Sequence, residues 1–332
     1  FLKVSQEKGG QLYGIGECAP LAGLSIDDVP DYEKVLADLC KKIAQSPVPA
    51  NESDIAQWVE KYVDAHYPSL RFGVEVALLD LLNGGQKNIL TNSWSSSPFS
   101  PIPINGLIWM NDRKHMMNQL QEKLEAGFDC IKIKIGAIDF DEEMALLEYI
   151  RKHFSSSEIS IRVDANGAFD EKDVFAKLER LASFDVHSIE QPIQPNQARL
   201  MRTLCAQSRV PIALDEELIG VHGLSLRSEL LDQLMPQYII LKPTLLGGIH
   251  ACREWIRLAE ERNIGWWITS ALESNIGLNA ISQFTATYPV ALPQGLGTGQ
   301  LYENNIPSPL TIREGMLHYN PDISWQDQSV IS

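Results

Sequence analysis

Five apolar runs of this chain end in charged residues of the types that carry acid–base chemistry. These residues are Lys132 with Lys134, Asp164, Glu190, Asp215 and Lys242. They follow one another at gaps of about 25 to 30 residues, the length of one strand–helix unit in a (β/α) barrel. Because the strands of such a barrel end at a common mouth, three carboxylates would face three ammonium groups there. The spacing therefore predicts one active site at the mouth of a barrel.

The three acidic residues have the chemistry of a site for a divalent cation. Asp164, Glu190 and Asp215 each close an apolar run, and any one of them could instead cap the helix that follows. Three successive strands that end in hard oxygen ligands, without His or Cys, favour Mg²⁺ or Mn²⁺. Because three buried acids cannot all stay ionised without a neutralising cation, we predict a metal site here.

Two of the lysines have the chemistry of a general base. Lys132 and Lys134 are two residues apart in a predicted strand, so both side chains point to one face and Ile133 to the other. An edge strand protected by lysines would show the same pattern. Burial and a like-charged neighbour both lower a lysine pKa, and the neutral amine can then accept a proton.

The third lysine, Lys242, lies across the predicted barrel from Lys134, although it could be only a structural partner for Asp215. Amines on both sides of a metal-bound carboxylate would suit removal of the proton next to that carboxylate. The charged residues together predict metal-assisted proton abstraction from a small-molecule carboxylate.

The elements that must position these residues begin near residue 102. From there eight β-like runs alternate with helical patterns, which indicates a barrel, although an open doubly wound sheet would show the same alternation. The runs are residues 103–109, 130–135, 159–163, 187–190, 210–214, 238–241, 265–269 and 290–292.

The first hundred residues lack this rhythm and predict a smaller domain with three helices. Ser25, with Asp28 three residues later, has the spacing of a capping box for the first helix. Residues 83–100 predict a linker or mobile loop, since they offer no periodic apolar face. We expect a capping domain at 1–101 whose start precedes Phe1, a barrel at 102–305, and a segment at 306–332 that packs back on the capping domain.

The composition limits the classes of function. A net charge of -15 and a pI near 4.9 argue against a nucleic-acid or anionic-membrane surface. No apolar run approaches the roughly 20 residues of a membrane span. Five scattered cysteines without a CxxC pair favour neither a zinc ribbon nor a disulfide framework, so a reducing cytoplasm is expected. The oligomeric state stays open.

Two weaker patterns follow the seventh and eighth runs. The glycine-rich residues 295–299 have the wrong spacing for a dinucleotide loop, and backbone amides that line an anion pocket are the better interpretation. Residues 270–274 could donate hydrogen bonds to a substrate carboxylate or could equally cap a helix.

With these residues in place, the chain resembles the enolase superfamily, in its muconate-lactonizing subgroup, over nearly its whole length. The motifs that carry the resemblance are Lys132-x-Lys134, Asp164-x-Asn166, Glu190-Gln191-Pro192, Asp215-Glu216 and Lys242-Pro243. Further motifs resemble the dehydrating branch that forms o-succinylbenzoate. They are residues 14–20, Arg71-Phe72-Gly73, Arg162, Glu273-Ser274 and residues 295–302.

The resemblance implies an α+β capping domain over a modified (β/α)₇β barrel, with Mg²⁺ held by Asp164, Glu190 and Asp215. It implies syn dehydration of 2-succinyl-6-hydroxy-2,4-cyclohexadiene-1-carboxylate in menaquinone biosynthesis. Lys134 would take the α-proton and return it to the departing hydroxyl, Lys242 would stabilise the anion, and Lys132 would tune Lys134. The substrate-binding residues that it implies are Leu24, Ser25, Arg162, Asn166, Ser270, Ser274, Gly297 and Thr298.

Alternative functions within and outside the superfamily stay open. Dipeptide epimerases of the subgroup carry Asp-x-Asp where this chain has Ser270 to Glu273, which disfavours epimerisation. Racemases of N-succinylamino acids usually carry Arg where this chain has Leu245. Other carboxylate racemases or cycloisomerases, a Schiff-base aldolase and a non-catalytic binding barrel are further alternatives.

Overall fold

The computed structural model describes residues 1–6 and 12–326. Its first part is a two-stranded antiparallel hairpin followed by three helices. These elements are β1 (Leu2–Ser5), β2 (Tyr13–Gly16), α1 (Tyr32–Ile43), α2 (Glu52–Tyr62) and α3 (Pro68–Leu82). Strand β2 packs so closely on α3 that a Cβ at Gly14 or Gly16 would overlap the α3 backbone. Only glycine allows this approach of backbone to backbone.

The start of α1 differs from the sequence prediction. Ser25 Oγ accepts a hydrogen bond from the Leu21 amide at 2.7 Å, and Asp28 Oδ2 accepts one from the Gly23 amide at 2.9 Å. Short polar side chains often bond to neighbouring backbone in this way and stabilise turns. The predicted capping box is wrong, because both side chains shape the loop before α1, which begins only at Tyr32.

The second part of the chain alternates strands and helices. Its elements are β3 (Ile102–Pro103), β4 (Gly106–Ile108), α4 (Arg113–Glu125), β5 (Cys130–Lys134), α5 (Phe140–His153), β6 (Ser160–Asp164), α6 (Val174–Ala182), β7 (Ser188–Glu190), α7 (Ala198–Gln207), β8 (Ile212–Leu214), α8 (Leu224–Leu234), β9 (Tyr238–Leu241), α9 (Pro243–Leu246), α10 (Ile249–Glu260), β10 (Gly265–Ile268) and α11 (Asn275–Thr285). Strands β4 to β10 form one parallel sheet in sequence order.

The two edges of this sheet meet through one short segment. Gln294 forms a parallel bridge with Ile104, and Gly295 forms one with Thr269. These bridges close the sheet, so the predicted (β/α)₇β barrel is confirmed and an open doubly wound sheet is excluded. The position of the eighth run at residues 290–292 is wrong, since those residues form no strand. Pro293 and Gly295 are poor strand formers, and their presence hid the closing segment in the sequence.

The segment between α3 and β3 has no helix or strand, as predicted, but it is not free of the core. Ile89, Leu90 and Trp94 are buried, and the Trp94 indole donates to the Leu317 carbonyl at 2.9 Å. The segment therefore packs on the core although its apolar residues follow no period, and the prediction of a linker or mobile loop is wrong in this respect. Leu317 belongs to a C-terminal hairpin that pairs with β3. Its strands are β11 (Leu310–Arg313) and β12 (Met316–Tyr319).

None of the helices in the described ranges combines the length and the apolar character needed to cross a lipid bilayer.

Candidate active site

A cavity of about 440 Å³ opens at the carboxyl ends of the barrel strands. Leu21 and Leu24, from the loop before α1, line it together with Trp109, which follows β4. Its charged lining residues are Glu122, Lys123, Lys132, Lys134, Asp164 and Lys242. The first part of the chain thus contributes an apolar wall, while the barrel contributes the charges.

The floor of the cavity is a layer of charges on adjacent strands. Lys134 is the Cα partner of Asp164, and Asp164 is the Cα partner of Glu190. Lys132 Nζ lies 2.9 Å from Asp164 Oδ2 and donates to Glu190 Oε2 at 2.6 Å. All three of these side chains are buried, so Lys132 joins two carboxylates below the open part of the cavity.

Lys134 stands nearer to the opening than Lys132. Its Nζ donates to Asn166 Oδ1 at 2.7 Å and lies 3.2 Å from Asp164 Oδ2. The same ammonium group lies 5.5 Å from the centre of the Trp109 ring. Asn166 is fixed in turn, because its amide donates to Glu216 Oε1 at 2.9 Å. Lys134 is therefore a positioned amine with direct access to a ligand in the cavity.

Lys242 occupies the opposite wall. It directly follows β9, four strands from β5 in the sheet order. Its Nζ hydrogen-bonds to Asp215 and lies 3.9 Å from Glu190 Oε1. A ligand in the cavity would have the amine of Lys134 on one side and that of Lys242 on the other.

The charges in this layer shift one another strongly. Burial and the nearby Asp164 raise the pKa of Glu190 to about 8. Burial alone would raise the pKa of Asp164, but the combined attraction of Lys132, Lys134 and Lys242 holds that pKa well below its usual range. Burial lowers the pKa of Lys132 and Lys242, yet the combined attraction of the neighbouring carboxylates, with Asp164 foremost for Lys132 and Asp215 for Lys242, outweighs burial and leaves both pKa values raised. The expected lowering of the lysine pKa is wrong for Lys132, because carboxylates are its nearest neighbours.

Ammonium groups contact all three carboxylates of the layer. In residues 1–6 and 12–326, no three His, Cys, Asp or Glu side chains are arranged to close around one ion. The donor set still fits a divalent cation, because Asp164, Glu190 and Asp215 are buried and offer only hard oxygen atoms. Oε1 of Glu190 is also buried and has no hydrogen-bond partner among the residues that the structure describes, which leaves it available to a cation.

Three of the predicted substrate-binding residues do not line the cavity. Arg162 is buried in the barrel interior, where it donates to the Pro293 carbonyl at 2.7 Å and stacks on Trp267 at 3.9 Å. It points inward as Asp164 does, but one layer deeper. Ser274 caps α11, and its hydroxyl donates to Glu17 at 2.6 Å. Ser25 is buried in its own loop. For these three residues the predicted location is wrong.

The other predicted substrate-binding residues do lie on the cavity wall. They are Leu24, Asn166, Ser270, Gly297 and Thr298. Sequence reasoning missed Asn105 and Trp109 on the same wall. Trp109 follows its strand as the predicted charges do, so the strand-end rule could have found it. Asn105 belongs to no motif, so the sequence offered no signal for it. Its Oδ1 and the Thr298 hydroxyl are buried without partners in the described part of the chain, so both can bond to a ligand.

Comparison with known proteins agrees with this fold and site. Residues 115–322 match the family model described as enolase C-terminal domain-like. An o-succinylbenzoate synthase from Desulfotalea psychrophila is 48% identical, over 92% of this chain and 88% of that protein. The crystal structure of MenC from Desulfotalea psychrophila LSv54 has a TM-score of 0.85 and 46% identity, and covers 92% of this chain and 90% of its own. The chain belongs to the enolase superfamily.

Other relatives within the superfamily are more distant. An L-Ala-D/L-Glu epimerase from Francisella tularensis subsp. novicida is 25% identical over 90% of this chain and 81% of that protein. A muconate cycloisomerase from Pseudomonas fluorescens has a TM-score of 0.79 at 23% identity, covering 96% of this chain and 89% of its own. That second likeness shows the fold alone. The o-succinylbenzoate synthase shares far more of its sequence with this chain than the epimerase does.

Proposed function

We propose that this protein is a Mg²⁺-dependent carbon–oxygen lyase that dehydrates 2-succinyl-6-hydroxy-2,4-cyclohexadiene-1-carboxylate to o-succinylbenzoate. The observation that carries the proposal is the placement of Lys134 and Lys242 on opposite walls of one cavity above three buried carboxylates. The 48% identity to a protein named o-succinylbenzoate synthase supports this substrate in particular. Mn²⁺ has the same ligand preferences and could replace Mg²⁺.

The residues of the cavity divide the work of the reaction. Lys134, as the neutral amine, takes the proton from the ring carbon that bears the carboxylate, and the bond electrons move onto the carboxylate oxygens. The Lys242 ammonium on the opposite wall stabilises this negative charge, and Lys132 holds Asp164 and Glu190 in place. The electrons then return to the ring, the carbon–oxygen bond breaks, and Lys134 gives its proton to the leaving hydroxyl as water departs. A bound Mg²⁺ would supply positive charge to the substrate carboxylate.

Proton removal and return by the same amine makes the elimination syn, because Lys134 faces only one side of the bound ring. The ring becomes aromatic when water leaves, which favours the forward direction. The partnerless Asn105 and Thr298 groups can bond to polar groups of the substrate, while Leu21 and Leu24 exclude water from above.

We further propose the division into a capping domain at 1–101, a barrel at 102–305 and a C-terminal segment at 306–332. The barrel sheet begins after residue 101, and the matched family model spans residues 115–322, which includes part of the C-terminal segment. We also propose a cytoplasmic enzyme of menaquinone biosynthesis, which is supported by five cysteines that are all free thiols.

The direct test incubates the purified protein with the cyclohexadiene substrate and Mg²⁺, and follows o-succinylbenzoate formation. We expect rapid dehydration that EDTA abolishes and that added Mg²⁺ restores. Borohydride with substrate should leave the protein unmodified, whereas a Schiff-base aldolase would be trapped as an adduct. Dehydration no faster than the background reaction would contradict the proposal.

Racemisation of an N-succinylamino acid is the second candidate, because epimerases and cycloisomerases are among the relatives at 22% to 27% identity. Leu245 is buried in α9 and does not line the cavity, so it offers no contact to such a substrate. The rate at which an N-succinylamino acid exchanges its α-proton in D₂O is compared with the rate of dehydration of the cyclohexadiene substrate. This comparison distinguishes the two activities. Exchange faster than dehydration would favour the racemase.

A further inference from the structure

A second cavity lies between the first helices of the chain and the barrel helices. Its volume is about 470 Å³, and among the described residues its lining is entirely different from that of the active-site cavity. Helices α2 and α3 form one side, and α8, α10 and the loop before α8 form the other. Its basic lining residues are Arg71, His222, Arg227 and His250. We call this space the seam cavity.

Arg71 brings a positive charge that no carboxylate neutralises directly. Its Nε and one terminal nitrogen both donate to the Val63 carbonyl, at 3.0 and 2.9 Å. In the part of the chain that the structure describes, no acidic side chain forms an ion pair with it. A carbonyl is a neutral acceptor, so the charge of the guanidinium is compensated only by carboxylates that do not pair with it, with Glu60 foremost.

Arg227 reaches the seam cavity from the barrel side. Its side chain is only 4% exposed and forms an ion pair with Glu254 through one terminal nitrogen. Its Nε is buried and has no acceptor within residues 1–6 and 12–326. A buried N–H of a charged group without an acceptor is uncommon in folded proteins, and a ligand oxygen would satisfy it.

The acidic residues that line the seam cavity are already engaged. Glu75 accepts from the amides of Ile249 and His250 at 2.7 and 2.9 Å, and Glu254 pairs with Arg227. Glu60 lies 3.7 Å from the His250 ring. These contacts leave Arg71 and Arg227 as the lining residues whose N–H groups can still donate to a ligand.

The charges around His222 agree with this assignment. Burial, and then the positive charges of His66, Arg71 and Arg227, lower the pKa of His222, while Asp64 raises it least among the causes. Two guanidinium groups, one of them with a partnerless buried N–H among the described residues, favour an anion over a cation or a neutral molecule.

We propose that the seam cavity binds a small oxyanion, through a phosphate or carboxylate group held between Arg71 and Arg227. Two guanidinium groups can each direct two N–H groups at such oxygens. Because Arg71 lies on α3 and Arg227 on α8, the ligand would join the first helices to the barrel. Binding to the folded state alone would then raise the melting temperature. This site is independent of the proposed dehydration.

The test measures thermal unfolding and calorimetric binding of the full chain carrying Lys134→Ala, which weakens anion binding at the active site. Sodium phosphate and sodium succinate are compared with sodium chloride at equal ionic strength, and the arm with the larger shift identifies phosphate or carboxylate as the preferred group. We expect a concentration-dependent rise in melting temperature in at least one arm. No rise beyond chloride in both arms would overturn the proposal.

Arg71→Met, made in the same background, should weaken the binding about tenfold or more, because it removes a charged donor pair. Arg257→Met is the matched control, since Arg257 pairs with Glu261 on the exposed side of α10 and does not line the cavity. Equal affinities in Arg71→Met and the control would place the anion elsewhere and refute the assignment. If Arg71→Met does not fold, Arg71→Lys replaces it in the binding measurement, and a crystal of the protein that keeps Arg71, grown in phosphate, must show density between the two guanidinium groups.

Discussion

The barrel mouth and the seam between α3 and α10 both bury charged groups, but they bring them together differently. At the mouth, Lys134, Asp164 and Glu190 are Cα partners on consecutive strands. At the seam, Glu75 accepts hydrogen bonds from the amides of Ile249 and His250, which lie 174 and 175 positions later in the chain. The charges of the mouth follow from the repeat of one strand–helix unit, whereas those of the seam depend on how two layers of helices pack. The charges at the mouth are placed for catalysis, whereas those at the seam hold two layers of helices together. Variants at the two places should therefore differ in their effects on activity and stability.

The largest effect is expected at the mouth, for Lys134→Ala. Loss of the amine that takes and returns the proton should lower turnover by about 10³-fold. The melting temperature should change little, because the Lys134 side chain is partly exposed and Asp164 keeps Lys132 as a partner. Steady-state kinetics and thermal unfolding measure both quantities.

Lys152→Ala, on the exposed side of α5, is the control for Lys134→Ala and should behave as the wild type. Turnover within tenfold of the wild type in Lys134→Ala would assign the proton transfer to another group. The mouth would then resemble the seam as a structural charge cluster.

Asp164→Asn should be the most destabilising change at the mouth. It removes the carboxylate that contacts both Lys132 and Lys134, which leaves buried ammonium groups with less compensation. Breaking a buried ion pair in this way costs about 3 to 5 kcal/mol. Urea unfolding in the presence of EDTA measures the loss without a contribution from bound metal.

The partly exposed pair of Asp173 and Lys177 provides the comparison for Asp164→Asn. Asp173→Asn should cost less than about 1 kcal/mol, because solvent screens the pair. Equal losses of unfolding free energy in Asp164→Asn and Asp173→Asn would mean that the buried charge layer stabilises the folded state no more than a partly exposed pair does.

The distinction between mouth and seam also explains how much the sequence could predict. Each charge of the mouth lies at or near the end of a strand, and the strand spacing is visible in the sequence. The barrel and its six charged residues could therefore be predicted, namely Lys132, Lys134, Asp164, Glu190, Asp215 and Lys242. Arg162 lies two residues before Asp164, so its strand and face could be predicted, but its depth in the barrel is set by the packing of Trp267, which no spacing reveals. The contacts of Glu75 join elements far apart in the chain, and the sequence carries no periodic signal for them.

At the seam, Glu75 should make stability depend on pH. Burial raises the pKa of Glu75 from 4.5 to about 7. Because the folded state holds this proton more tightly than the unfolded state, the stabilisation is complete below about pH 4.5 and is lost as pH rises through 7. The free energy of unfolding should fall by up to about 3 kcal/mol over this range through Glu75 alone.

Glu75→Gln isolates that contribution, since glutamine does not titrate. The variant leaves one amide of the α10 start poorly paired, a penalty that is the same at every pH. Denaturant unfolding of both proteins between pH 5 and pH 8 should therefore give curves that converge as pH rises. Parallel curves would show that the seam does not hold a protonated Glu75.

The smallest effect is expected on the outer wall of the mouth, at Trp109. This residue ends its strand as the charged residues end theirs, but it offers an apolar surface, and its ring lies 5.5 Å from Lys134 Nζ. Trp109→Ala should raise the KM about fivefold and lower kcat less, because it removes apolar surface from the cavity wall that a bound ligand would contact, a loss of about 1 kcal/mol. Trp109→Phe keeps an aromatic wall and should retain most of the affinity. If Trp109→Ala and Trp109→Phe lower kcat and leave the KM unchanged, the ring acts on Lys134 rather than on the substrate. Trp109 would then act together with the charged layer on the floor of the cavity, and the apolar wall would begin farther from the strand ends.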